Sequence, residues 1–206
     1  ASNFDIAPVL RELFKSEHFF NEEAIGVIIK SPCDLHPSFY NEVSFTLTTQ
    51  TDLEDYYVNT FKVLGQDVLN PYDVAGWQGD EDWISPDLLI GRWESIRYVS
   101  NRGWNHDQNQ FSDFLIGLPI GALADGTLTA STDDVELVVR TITNYFFSRG
   151  ITDPVIFTEA LGIFKGDSVP ENYYEDGTWT LSYPDVANQL YTLLDYIAEI
   201  PEFQLK

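Results

Sequence analysis

Residues 182–201, SYPDVANQLYTLLDYIAEIP, decide the fold class. Val186, Leu190, Leu193, Leu194 and Ile197 fall at i, i+4, i+7, i+8 and i+11, so one face of an α-helix gathers all five. Ser182-Tyr183-Pro184-Asp185 opens that helix. Pro201, which has no amide proton to continue the ladder, ends it.

The same signature repeats toward the N-terminus. Asp153-Pro154 starts a helix with Phe157, Ala160, Leu161 and Phe164 inward and Gly166 as its stop. Ser131 caps another, with the stripe Val135, Val138, Val139, Ile142, Tyr145 and Phe146 and with Gly150 at its end. Ser85-Pro86 opens a helix whose apolar face is Leu89, Trp93, Ile96 and Val99. Thr51-Asp52-Leu53-Glu54 reads as a capping box ahead of the stripe Leu53, Tyr57, Phe61, Leu64 and Val68. Ser31-Pro32-Cys33-Asp34 starts a helix toward Phe45 that Pro37 limits or kinks. Ile6, Val9, Leu10, Leu13 and Phe14 form the first amphipathic stripe.

Strand signals are sparse, with only the Thr-rich segments 46–51 and 127–132 suited to short extended pieces. The expected fold is all-α: an irregular array of six or seven helices with long aromatic and acidic loops, in one domain over residues 1–206. Residues 101–112, NRGWNHDQNQFS, are the most linker-like and mark a candidate hinge.

Composition narrows the function. A chain of 206 residues can bury a real core, and 44% hydrophobic residues argue against disorder. No apolar run reaches the ~18 residues of a membrane span. The best candidate, 114–124, is short and is interrupted by Gly117, Pro119 and Gly121. Thirty-three acidic residues against 11 basic ones give −22, which argues against nucleic acid as a partner and suits an exported protein or one from a salty milieu. Cys33 is the only cysteine, so no internal disulfide forms. With Asp34 beside it, it reads as a buried, inert thiol. Methionine is absent, position 1 included, so the chain is expected to be a processed or proteolytic piece of a longer protein, in which the lack of a visible signal peptide says nothing about export.

Site-like chemistry concentrates at residues 71–83. Asn70-Pro71-Tyr72-Asp73 reads as a turn, and Gly76 and Gly79 admit unusual backbone shapes. Trp77 and Trp83 flank Asp80, Glu81 and Asp82. Two readings stand side by side. Indoles beside carboxylates make a platform for a sugar, or the tryptophans pin an irregular loop by burying their rings. Arg92, on the helix that follows, either bridges the acidic triplet as a bidentate anchor or meets a ligand. The candidate ligand-binding set is therefore Tyr72, Trp77, Asp80, Asp82, Trp83 and Arg92.

A second loop, 171–179, repeats aromatics beside carboxylates. There the simpler reading is a solvated loop with Trp179 tucked under it. The acidic runs do not fit calcium-loop spacing, and His18, His36 and His106 share no metal-ligand spacing, so no metal or cofactor is assigned. No nucleophile elbow, P-loop or dinucleotide fingerprint is present.

The stretch 63–93 also carries a family likeness. Leu64-Gly65-Gln66, Pro71, Val74-Ala75-Gly76-Trp77, Trp83-Ile84 and Arg92 occur in the order seen in the C-terminal region of the DUF1800 family, which the chain resembles. Leu10-Arg11-Glu12-Leu13-Phe14 and Ile29-Lys30-Ser31-Pro32 match two further signatures of that family. Ile200-Pro201-Glu202-Phe203-Gln204-Leu205 looks like the end of its Bacteroidetes members. The likeness covers most of residues 5–100 and the extreme C-terminus, and is loose over 101–181. It implies kinship with long bacterial proteins of unknown function that often carry export signals.

The function expected is an accessory binding or assembly module at the cell envelope, periplasmic, surface-bound or secreted. Its partner is an N-terminal remainder of the same protein or an envelope protein, with a glycan as a further candidate. The alternative is a hydrolase acting on a glycan or ester, using carboxylates of the 71–83 loop in a site completed by a preceding region. A purely structural domain is the third option, and its mark is a large exposed apolar patch.

Overall fold

The computed structural model describes residues 5–43, 54–77, 79–126, 133–147 and 149–206. Seven α-helices of ten or more residues and two single turns form an irregular all-α array, with no strand among the described residues. In chain order they are α1 (Ile6–Lys15), α2 (Pro32–Glu42), the single turn α3 (Thr60–Val63), α4 (Pro86–His106), α5 (Gln108–Ala124), α6 (Val135–Phe146), α7 (Pro154–Lys165), the single turn α8 (Asn172–Glu175) and α9 (Val186–Glu199). Glu54–Asn59 leads into α3 as a π-helix, and short 3₁₀ turns occupy Glu17–Phe20, Glu22–Ala24, Asp80–Trp83 and Pro201–Gln204.

The helix that decided the fold class sits at the centre. Val186, Leu190, Leu193, Leu194 and Ile197 of α9 are all buried, and α9 packs on α4, α5 and α7. Phe157, Ala160 and Phe164 of α7, Val138, Val139 and Ile142 of α6, and Ile96 and Val99 of α4 join the same core. Leu35, Phe39 and Tyr40 bring α2 onto it.

Several starts and stops differ in detail. Asp134, not Ser131, caps α6: its carboxylate accepts from the amides of Glu136 at 3.0 Å and Leu137 at 3.2 Å. Ser131 lies outside the described residues, as do the two Thr-rich segments and the Thr51-Asp52-Leu53 part of the second capping box. Asp185 precedes α9 without capping it, because its carboxylate accepts from the Ser168 hydroxyl and, at 2.7 Å, from the Asn188 amide. Pro37 sits inside α2 without breaking it. Gly150 is not the glycine that closes α6, which ends four residues earlier. It turns the chain at φ 66°, where a β-carbon would lie 2.2 Å from the Asn144 side-chain oxygen.

The linker-like segment 101–112 is helical. α4 runs through to His106, and Asp107 caps α5 by accepting from the Gln110 amide at 3.0 Å. Trp104 holds the corner by lying on Tyr191 of α9, ring centroids 4.9 Å apart. α5 itself carries no stripe in its sequence. Gly117, Pro119 and Gly121 interrupt a segment that is apolar almost all round, and burial of one side supplies what propensity does not.

The C-terminal segment is stitched into residues 28–34. Ile28 and Lys206 exchange amide hydrogen bonds at 3.2 and 2.8 Å, and the Lys30 amide donates to the Gln204 carbonyl at 2.7 Å. Asp34, which completes the capping box of α2, also meets the Lys206 ammonium at 2.6 Å.

Candidate functional site

The loop after α3 is built from short-range hydrogen bonds. Gly65, at φ 91°, turns the chain out of the helix, and the Gln66 amide closes back on the Phe61 carbonyl at 2.7 Å. The Gln66 side chain accepts from the Cys33 amide at 2.7 Å, tying the loop to the first turn of α2. Asp73 accepts from the Ala75 amide at 2.7 Å, and Gly76 follows at φ 99°. Asp80 enters the next turn at φ 58°, a left-handed conformation that aspartate tolerates better than most residues. Ser85 then accepts from the Leu88 amide at 3.2 Å and launches α4.

Between the two halves of this loop lies an open cleft of about 670 Å³. Trp83 is buried at its floor, and Gly65 is bare against the ring: a β-carbon there would stand 3.8 Å from it. Trp77 forms a wall. The residue is 37% exposed, and its indole N–H is held by the Asp67 carbonyl at 3.2 Å. Tyr72 projects from the rim, 90% exposed. Asp67, Asn70 and Asp82 supply the polar lining. The Asp67 carboxylate accepts from Asn70 at 3.1 Å and pairs with Lys62 at 3.2 Å, and those two contacts hold it below the usual carboxylate range.

The structure thus brings Tyr72, Trp77, Asp82 and Trp83 around one cleft and divides the work between the tryptophans. Trp83 is the pin, and Trp77 offers a ring to solvent. Asp80 lies on the same turn but not on the cleft wall. Asp67 and Asn70, absent from the sequence-derived set, complete the lining.

Arg92 is not at the cleft, and it does not bridge the acidic triplet. It is 1% exposed, and its guanidinium donates to the Lys30 carbonyl at 2.6 Å and the Gln204 side-chain oxygen at 2.8 Å. Burial lowers its pKa to about 10. Nor does the 171–179 loop line the cleft. Trp179 is fully buried beneath its own loop, its N–H held by Gln189 at 3.1 Å.

A family model described as a protein of unknown function, DUF1800, matches residues 1–205. The chain belongs to the DUF1800 family. The match extends through residues 101–181, where the motifs alone gave only a loose likeness. No curated protein and no solved structure matches.

Elsewhere in this DUF1800 chain, His36 is the one histidine with a buried partner network among the described residues. Its Nε2 lies 3.0 Å from the Ser95 hydroxyl, and that hydroxyl donates to the Arg92 carbonyl at 2.8 Å. With the serine proton on that carbonyl, the Nε2–H tautomer of His36 donates to Ser95. Burial, and then the Arg92 charge, push the His36 pKa down to about 3 and keep the ring neutral. Cys33 is half-buried rather than buried, and burial followed by the Asp34 charge raises its pKa. Among the described residues, no group of three or more His, Cys, Asp or Glu side chains is placed to hold a metal ion, and no helix is long and apolar enough to cross a membrane.

One further surface stands out. α1 forms as its stripe predicts, with Asp5 accepting from the Ala7 amide at 3.1 Å, yet none of its residues is buried. Ile6, Val9, Leu10, Leu13 and Phe14 are between 42% and 67% exposed. Phe14 stacks edge-on with Phe19 at 5.0 Å, Phe19 meets Phe20 at 5.2 Å, and Ile25, Val27 and Ile28 extend the exposed apolar series. The Arg149 guanidinium holds this segment to the body through the Glu22 carbonyl.

Proposed function

We propose that this DUF1800 chain is a non-catalytic binding and assembly module that docks through the apolar face of α1 and the adjoining residues 17–28. The observation that carries this reading is a strongly amphipathic helix with no buried residue. A stripe of five large apolar side chains left about half in water forgoes part of the ~1.5–3 kcal/mol that fully burying each would contribute. Contiguous exposed apolar surface of this kind marks an interaction site.

Charge argues for the partner's chemistry. Each chain carries −22, and over residues 5–28 Asp5, Glu12, Glu17, Glu22 and Glu23 outnumber Arg11 and Lys15. Self-association would bring like charges together, whereas a helix-receiving apolar groove rimmed by Lys or Arg complements both the stripe and the segment's negative charge. Such a groove is supplied either by another segment of the same protein or by a separate envelope protein. The resemblance and the acidity support an exported, envelope setting for that encounter.

The test is photo-crosslinking in the producing cell, with a benzophenone side chain at Phe14 and, as control, at the exposed Val155 of α7. The expected outcome is one defined adduct from position 14, absent from position 155, whose mapped contact is an apolar groove with basic neighbours. A self-adduct of twice the chain's mass contradicts the reading, and so does an identical pattern from both positions.

A further inference from the structure

The cleft beside Trp77 combines exposed aromatic side chains with an unbalanced negative charge. Two donors at its wall are engaged internally: the Trp77 N–H on the Asp67 carbonyl and one N–H of the Asn70 amide on the Asp67 carboxylate. What remains for a ligand includes the Tyr72 hydroxyl, which donates as well as accepts, and the acceptor-only Asp82 carboxylate. The Asp82 carboxylate and the Tyr72 hydroxyl stand beside two exposed aromatic faces, with Asp73, Asp80 and Glu81 exposed on the same loop. Asp67 is partly neutralised by Lys62, which leaves Asp82 as the uncompensated charge on the lining.

A neutral sugar gains nothing from a net negative charge on the lining. An ammonium group only donates, is drawn to the negative potential of the loop, and binds the faces of indole and phenol rings. We propose that this cleft binds an organic ammonium group, seated between Trp77 and Tyr72 with Asp82 as its counter-charge. Its source is either the lysine side chain of a basic protein segment or a free alkylamine. The assignment is independent of the α1 face.

The test uses the intact chain and the Trp77 indole N–H resonance. It is titrated with tetramethylammonium, N-acetyl-lysine methylamide, a tetralysine peptide and a neutral tetrasaccharide. The expected result is a saturable shift with the cations that weakens severalfold from low to high salt, and none with the sugar. Asp82→Asn and Tyr72→Ala each weaken binding about threefold or more, the size of an exposed cation–π or ion-pair contact. Both residues are exposed, so the variants keep the fold. Tetralysine binding more tightly than four independent lysines points to a protein source, and equal affinity per ammonium points to a free amine. A shift with the sugar but not the cations overturns the proposal. Cation binding untouched by both substitutions, or no cation binding at all, also overturns it. Leu10→Ala leaves every one of these titrations unchanged, so a failure here is separable from a failure of the docking reading.

Discussion

Trp179→Ala loses about 3–5 kcal/mol of unfolding free energy, the range for removing a large aromatic from a filled core. The ring is fully buried, edge-on to Phe164 at 5.9 Å and beside Tyr174 at 5.6 Å. Its N–H is held by Gln189, whose amide also reaches the Phe164 carbonyl at 3.0 Å and the Tyr174 hydroxyl at 2.7 Å. Truncation therefore opens a cavity and strands a buried acceptor at once. Against a total stability of ~5–15 kcal/mol for a protein domain, that is enough to unfold a marginal one. Trp179→Phe keeps most of the ring and is expected to recover more than half of the loss, measured by urea denaturation.

Arg92→Ala is the second large effect, about 3 kcal/mol or more, since hydrogen bonds to a charged donor contribute ~1.5–3 kcal/mol each. The guanidinium reaches the Lys30 carbonyl and the Gln204 side chain together, and Gln204 in turn donates to the Ala198 carbonyl at 3.1 Å. Losing it unpins the C-terminal segment from residues 28–30. Hydrogen exchange localises the damage: the Lys30 and Lys206 amides, bonded to Gln204 and Ile28, lose protection before the α9 amides do. Arg92→Lys is expected to recover little, because a compact ammonium cannot replace a planar fork that serves two acceptors.

These residues also show what could be read in advance. α7 and α9 were legible because each buries one face against neighbours and leaves the other wet, so the 3.6-residue period survives in the sequence. α5 was not, since its apolar residues run almost all round and its glycines and proline mimic a break. Arg92 was legible as unusual, in a chain with only 11 basic residues, but its partners lie 62 and 112 positions away. No local pattern encodes contacts that chain topology alone creates. The cleft was half legible. Two tryptophans beside carboxylates marked the place, but only the fold separates the buried ring of Trp83 from the open one of Trp77 and moves Arg92 out of the site. The α1 stripe was read correctly as a helix. A stripe records that a face seeks apolar contact, and whether that contact lies within the chain is a property of packing.

That last distinction is the central claim: the α1 face is built for contact outside this fold. The unfolding free energy of the Leu10→Ala, Phe14→Ala double variant tests it most directly. Both residues are exposed, so the variant is expected to stay within about 1 kcal/mol of the parent chain. If the stripe were interior packing, the two truncations would together cost about 4 kcal/mol or more, and that result would contradict the account.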